Sequence, residues 1–233
     1  MNLAELIESF RVDADDQSNS VGGGDADALW KDTDLARWFG EAEEEAAIRK
    51  RLLFDDYTLS IVSINVVAGQ SSYPLDSRMF EISRARLLNA STGRFLEDLY
   101  ITKRDALDQS CPGWRDERRR PKTIVQDDTR VMLPGIVDRA YTLRLEGYRT
   151  PLAPITADSD PESTTPEIGA VHHRFLVHWV LHRAYSKPDS EVFNPEKAAT
   201  ALAAFEQYFG PRPDADLRKD QQADQPHHNT SWW

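Results

Sequence analysis

Four stretches of the chain place apolar residues at helical spacing, and the block between them alternates or clusters β-branched residues instead. Leu3, Leu6, Ile7 and Phe10 predict a short amphipathic helix over 2–13. Residues 13–27 are acidic, contain Gly22-Gly23-Gly24 and predict a mobile loop. A second helix follows, with Asp34 as the expected N-cap. Leu35, Trp38, Phe39, Ala42, Ala46, Ile48, Leu52 and Leu53 form its apolar stripe. Glu41, Glu43, Glu44 and Glu45 precede Arg49, Lys50 and Arg51, an order that suits the helix dipole and i,i+4 pairing.

The period then shortens. Residues 58–67 are β-branched, and Ala68-Gly69-Gln70-Ser71-Ser72 is turn chemistry ahead of Tyr73-Pro74-Leu75. Strands are also predicted over 82–88, 123–126, 130–133 and 141–148. In the last of these Tyr141, Leu143 and Leu145 share one face while Thr142, Arg144 and Glu146 share the other. Cys111-Pro112-Gly113-Trp114 falls in a long loop of this β region.

Residues 151–166 are rich in Pro, Asp, Ser and Thr and read as a linker back to helical structure. One helix is expected over 167–185, where Val171, Phe175, Leu176, Trp179, Val180, Leu181 and Tyr185 cover most of the circumference and require burial on more than one side. After a turn at Ser186-Lys187-Pro188-Asp189, Asn194 and Pro195 start a last helix as N-cap and first position. Ala198, Ala201, Leu202, Phe205, Tyr208 and Phe209 form its apolar face, and Gly210-Pro211 stops it. The two segments make a helical hairpin. Residues 211–233 are a polar arm carrying Trp232 and Trp233, side chains that need an apolar destination.

Composition narrows the function. The 233 residues carry 28 Lys+Arg against 39 Asp+Glu, a net charge of −11. Residues 1–58 hold 15 acids and six bases, so most of the imbalance lies there. That acidity argues against tight sequence-specific DNA binding, which needs phosphate-neutralising cations. No stretch approaches the ~18 apolar residues of a membrane span. The opening Met1-Asn2-Leu3-Ala4-Glu5 lacks the basic-then-apolar order of a signal peptide. Cys111 is the only cysteine, which excludes an intrachain disulfide or a multi-cysteine metal site and suits a reducing cytoplasm.

Candidate chemistry is sparse. His178 and His182 share a helix face as metal ligands would, but the zinc-protease Glu is missing after His178, and helix-packing histidines explain the pair. His172-His173 and His227-His228 are doublets near helix or tail ends. Glycoside hydrolysis needs two carboxylates in one cleft, one with a raised pKa. The candidates among Glu41, Glu43, Glu44, Glu45, Asp55 and Asp56 are expected on a solvated charged face. The Gly22-Gly23-Gly24 run lacks the Lys-Ser/Thr of a phosphate loop and is flanked by Asp25 and Asp27. Cys111 reads as a bland loop thiol. The basic knot at Arg118-Arg119-Arg120 is expected to pair with acids of a neighbouring subunit. No catalytic, cofactor or metal residue is assigned.

The hairpin carries a recognisable pattern. His172-His173-Arg174-Phe175-Leu176-Val177-His178-Trp179-Val180-Leu181-His182-Arg183-Ala184-Tyr185-Ser186-Lys187-Pro188-Asp189-Ser190-Glu191, then Phe193-Asn194-Pro195-Glu196-Lys197-Ala198-Ala199 and Phe205-Glu206-Gln207-Tyr208-Phe209-Gly210, resembles the C-terminal half of tailed-bacteriophage head-to-tail adaptor (head completion, neck) proteins. Ala68-Gly69-Gln70-Ser71-Ser72-Tyr73-Pro74-Leu75 resembles that family's entry into its β region, and residues 30–210 are covered in all. The resemblance implies a structural virion protein at the portal–tail interface, made in the host cytoplasm. It implies a homo-oligomeric ring, typically twelve-fold, beneath the portal, extending the DNA channel and carrying the tail tube or nozzle protein. Double-stranded DNA would pass without specific binding, since an acidic wall releases few counterions. Ring contacts are heterologous and close by rotation.

The expected fold is therefore α+β: a helical core of the N-terminal helix pair and the C-terminal hairpin, a mostly antiparallel β insertion, and an extended C-terminal arm. The expected divisions are 1–57, 58–150, 151–210 packing with 1–57, and the arm 211–233. Pro211, Arg212, Leu217, Arg218, Trp232 and Trp233 are the expected portal-binding positions on the arm. Phe175, Trp179, His182, Tyr185, Phe205, Tyr208 and Phe209 are the expected subunit-packing positions on the hairpin. The rival readings are a virion-associated peptidoglycan hydrolase, an activity credited to related adaptor families, and a scaffolding protein with no portal partner.

Overall fold

The computed structural model describes residues 1–16, 28–187 and 192–213. Gly22-Gly23-Gly24 and most of the arm therefore lie outside the described residues. The fold is mixed α+β, and the chain divides into two compact units, residues 1–53 with 150–212, and residues 54–149.

The first unit is helical. α1 (Leu3–Ala14) opens with a reciprocal cap: the Asn2 side chain accepts from Glu5 N–H, and the Glu5 carboxylate accepts from Asn2 N–H. It buries Leu3, Leu6, Ile7 and Phe10. α2 (Asp32–Lys50) starts earlier than the expected Asp34 cap. Lys31 occupies the cap without a side-chain bond, and Asp34 sits within the first turn. Arg11 supplies the reason, since its guanidinium holds Asp32 and the Trp30 carbonyl and fixes the entry. The expected single helix over 167–185 is two pieces, a 3-10 segment at Ala170–Phe175 and α5 (Leu176–Tyr185). In consequence Val171 is exposed and does not join the core. α6 (Pro195–Phe209) has the predicted Asn194 cap, accepting from Lys197 N–H, and ends at Gly210.

These helices enclose one apolar cluster that includes Leu6, Phe10, Leu35, Phe39, Ala46, Leu176, Val180 and Phe205. Trp30 bridges it, meeting Phe10 and Tyr185 edge-to-face with centroids 5.4 and 6.0 Å away. Gly40 is where α2 touches the 150–169 segment. A Cβ there would lie 2.1 Å from the Ile155 carbonyl oxygen, a backbone atom with no free rotation to escape. Gly40→Ala is expected to lower unfolding free energy by about 1–3 kcal/mol, read by denaturant titration. An unchanged midpoint would mean the two segments are not packed this closely.

The second unit is a curled, mostly antiparallel sheet. Its strands are β1 (Phe54–Asp55), β2 (Ser63–Val66), β3 (Ser72–Pro74), β4 (Met79–Asn89), β5 (Phe95–Ile101), β6 (Arg118–Arg119), β7 (Thr123–Gln126), β8 (Arg130–Met132), β9 (Ile136–Val137) and β10 (Tyr141–Arg149). Two short helices, α3 (Leu59–Val62) and α4 (Arg104–Ser110), interrupt them. The order is β1-β10-β4-β5-β7-β8-β3, with β2 also on β10 and β6 paired to β9. Only β5–β7 and β6–β9 are parallel among the described pairs. The expected strand over 58–67 begins instead as α3, because the Asp55 carboxylate gathers the Tyr57 and Thr58 N–H groups into a turn.

β10 alternates as its sequence predicts, burying Tyr141, Leu143 and Leu145. On its other face Arg86 meets Glu146 at 2.8 Å and Arg84 holds Asp98 through two bonds of 3.0 Å. Gly147 marks a register shift where a Cβ would press within 2.2 Å of the Glu81 carbonyl.

Candidate functional site

The helical unit presents one organised feature at its chain exit, where α6 hands over to the arm. Arg49, on the last turn of α2, is only 4% exposed. Its Nε donates to Glu45 Oε2 at 2.9 Å, and its Nη1 reaches Glu206 Oε1 at 3.3 Å and the Gly210 carbonyl at 3.2 Å. The guanidinium also lies over Trp179 and Phe205, 5.5 and 5.2 Å from the ring centroids. Beside it Lys50 Nζ donates to the Tyr208 carbonyl at 3.0 Å. Two cations of α2 thus satisfy carbonyls at the α6 C-terminus, where a negative dipole end favours them. Arg212, 70% exposed, approaches Glu45 at 3.5 Å. The sequence offered Arg49 only as an i,i+4 partner of Glu45; its reach to residue 210 is set by tertiary packing.

Of the predicted hairpin positions, Trp179, Phe205, Tyr208 and Phe209 lie against the two clamp cations. Tyr185, Phe205 and Phe209 are buried, while Phe175, Trp179, His182 and Tyr208 are half-buried. Phe175 stacks on Tyr208 with centroids 3.5 Å apart, and His172 Nδ1 lies 3.0 Å from the Tyr208 hydroxyl. His182 Nδ1 is 3.0 Å from the Ala198 carbonyl, so this histidine ties α5 to α6. Burial lowers the His172 and His178 pKa values below the ordinary imidazole range. Among the described residues no cluster of His, Cys, Asp and Glu is arranged to hold a metal. Of the predicted arm positions Pro211 and Arg212 are exposed. Leu217, Arg218, Trp232 and Trp233 lie outside the described residues, as do His227 and His228.

Two carboxylates expected on a solvated face are buried instead. Glu43 is 1% exposed; its Oε1 accepts from the Glu167 and Ile168 N–H groups, and its Oε2 is buried without a hydrogen-bond partner. Helical spacing carried the signal, for Glu43 falls four after Phe39 and three before Ala46 on the apolar stripe. Burial pushes its pKa up from 4.5 to about 7, against the opposing pull of the two N–H groups. The folded state therefore holds this proton more tightly than the unfolded chain. The resulting stabilisation is complete below pH 4.5 and is lost as pH rises through about 7, a span of about 3 kcal/mol. Glu43→Gln keeps the acceptor and cannot ionise, so its stability between about pH 5 and pH 8 is expected to be flatter than that of the parent chain. Parallel profiles from urea titrations would contradict this reading.

In the β unit, Asp55 is fully buried and accepts from Arg149 Nε at 2.7 Å and from the Tyr57 and Thr58 N–H groups. Burial alone would raise its pKa, but these bonds outweigh it and hold the carboxyl below its ordinary value. The basic knot pairs within its own unit: Arg120 with Glu97 at 2.7 Å, Arg119 with Glu117 at 2.7 Å, and Arg118 with the Asp138 carbonyl at 3.3 Å. Arg119 and Arg120 thus have acids of their own unit as partners, where acids of a neighbouring subunit were expected. Cys111 is half-buried beside Leu107, Trp114, Val125 and Met132.

Glu43 and Asp55 are 1% and 0% exposed, whereas glycoside hydrolysis sets two carboxylates on either side of a bound sugar. No helix among the described residues is long and apolar enough to cross a membrane. A family model described as SU10 adaptor protein matches residues 1–229. No curated protein matches the chain.

Proposed function

Since the chain belongs to the SU10 adaptor protein family, a family of phage head-to-tail adaptors, we propose that it docks on the portal ring, extends the DNA channel and carries the tail tube or nozzle. The observation that carries the reading is the family match over residues 1–229, which takes in the arm as far as Asn229. The clamp at Arg49 supports it, because it holds the start of the arm in a defined place on the helical unit. The subunits form a homo-oligomeric ring, twelve-fold in this reading, with half-buried Phe175, Trp179 and Tyr208 offering hairpin surface to neighbours. Pro211, Arg212, Leu217 and Arg218 begin the stretch that meets the portal. A segment that orders on binding can cover a large partner surface.

The remaining steps follow from charge. A subunit of net charge −11 resists self-association in free solution, so the portal templates the ring. An acidic channel wall offers few Lys or Arg side chains to replace the counterions condensed on DNA, and DNA slides past it. The protein acts without catalysis in this account. Glu43 has the raised pKa that a hydrolase acid needs, yet its bonds to the Glu167 and Ile168 N–H groups make it a packing tie.

Sedimentation of the purified chain with portal rings of the same phage, with and without residues 211–233, tests the reading. The intact chain is expected to join the ring and the truncated one to remain free. Failure of both to bind would overturn it and direct attention to a peptidoglycan hydrolase assay.

A further inference from the structure

The curled sheet of the β unit ends in two strands that are neighbours in sequence but do not pair. Among the described residues β2 pairs with β10 alone, and β3 with β8 alone. Both unpaired edges line one cleft of about 420 Å³, bounded by Ile61, Ser63, Ile64 and Asn65 on one side and by Tyr73 and Leu75 on the other. Tyr73 explains why no hairpin ladder closes there. Its hydroxyl takes the Val67 N–H at 3.0 Å and donates to the Gln70 carbonyl at 2.8 Å, so a side chain occupies groups a ladder would use.

The two edges differ in protection. In β3, Pro74 has no N–H to offer and the Ser72 carbonyl already accepts from Gln70 Nε2 at 2.9 Å. β2 is Ser-Ile-Asn-Val, with neither proline nor charge to discourage an added strand. Leu59 and Val67 stand exposed at the two ends of the α3–β2 stretch, 59% and 55%. Asp76 is the one acidic or basic residue lining the cleft, and Arg78 neutralises it at 2.9 Å. A strand that fits this edge is therefore uncharged, extended and carries apolar side chains.

The chain contains such a segment outside the described residues. Of the 20 residues that follow Pro213, positions 214–224 carry four Asp, one Arg and one Lys, whereas 229–233 read Asn-Thr-Ser-Trp-Trp and have no charged side chain. Thr and Trp favour strands, and the two indoles need an apolar surface. At about 3.3 Å per residue the 20 residues span up to about 66 Å when extended, enough to reach an adjacent subunit. We propose that the β2 edge accepts residues 229–233 of a second copy as an added strand. One donor and one acceptor on different surfaces of each subunit form a head-to-tail contact that a closed ring satisfies completely. The proposal rests on the ring reading above and divides the expected portal-binding positions: Pro211, Arg212, Leu217 and Arg218 face the portal, and Trp232 and Trp233, instead of joining them there, lie on the neighbour.

Cysteine pairing in the full chain tests this. In a Cys111→Ser background, Asn65→Cys on the β2 edge is combined with Ser231→Cys, and the protein is oxidised with and without portal rings. The expected result is a ladder of disulfide-linked multimers in the ring-bound fraction. A control pair, Ala90→Cys with Ser231→Cys, places the first cysteine on the exposed β4–β5 turn and is expected to give none. Equal ladders from both pairs, a linked monomer alone, or no linkage would each overturn the proposal. Portal binding is scored in the same samples, so ring attachment without the ladder removes this proposal and leaves the adaptor reading standing.

Discussion

Asp55→Ala is expected to destabilise the β unit by about 3–5 kcal/mol, because it leaves Arg149 buried without its carboxylate. The two side chains are 0% and 3% exposed, so neither can turn to water in the folded state. Asp55 also organises the turn into α3 through two backbone N–H groups, which the substitution frees. The melting midpoint should fall on the order of 10 °C. Replacing both partners by apolar residues, Asp55→Leu with Arg149→Met, removes the buried cation together with its carboxylate and should recover a large part of the loss. Since the Asp55 pKa is held low, its contribution is present above the unfolded value of 3.8 and is lost as the pH falls through the folded one. A single variant as stable as the parent would show that the pair does not support the fold.

Arg49→Ala should cost the helical unit a comparable amount, about 3–5 kcal/mol. It removes a buried cation from Glu45 and Glu206, uncaps the Gly210 carbonyl, and empties the space over Trp179 and Phe205. Arg49→Lys keeps the charge but not the planar fork that serves three acceptors, so an intermediate loss is expected. Calorimetry reads the stability. Limited proteolysis at residues 206–212 reads whether the arm has lost its anchorage. If both variants matched the parent in both assays, the clamp would have no structural weight.

The elements that sequence reveals are those whose determinants are local. β10 alternates with period two because one face is buried throughout, and Tyr141, Leu143 and Leu145 announce it. α6 is written at both ends by Asn194-Pro195 and Gly210. β5 is illegible by the same test, because Glu97 and Asp98 break the apolar pattern and meet their counter-charges, Arg120 and Arg84, through tertiary packing. α3 is hidden for a similar reason: its β-branched residues favour a strand, and the turn is imposed by Asp55. The family was legible in the hairpin and turn motifs. The clamp was not, since Arg49 and Gly210 meet only in the folded chain. Glu43 stood in a run of four acids within five positions, and only its phase on the helix marked it as inward.

The central claim concerns where the protein acts, and labelling whole particles tests it most directly. Antibody fragments raised against the purified chain would be imaged on intact and tail-less virions by electron microscopy. The account predicts label at a single vertex, between head and tail, exposed more fully on tail-less particles. Label spread over the capsid, confined to the distal tail, or absent from purified virions would contradict it.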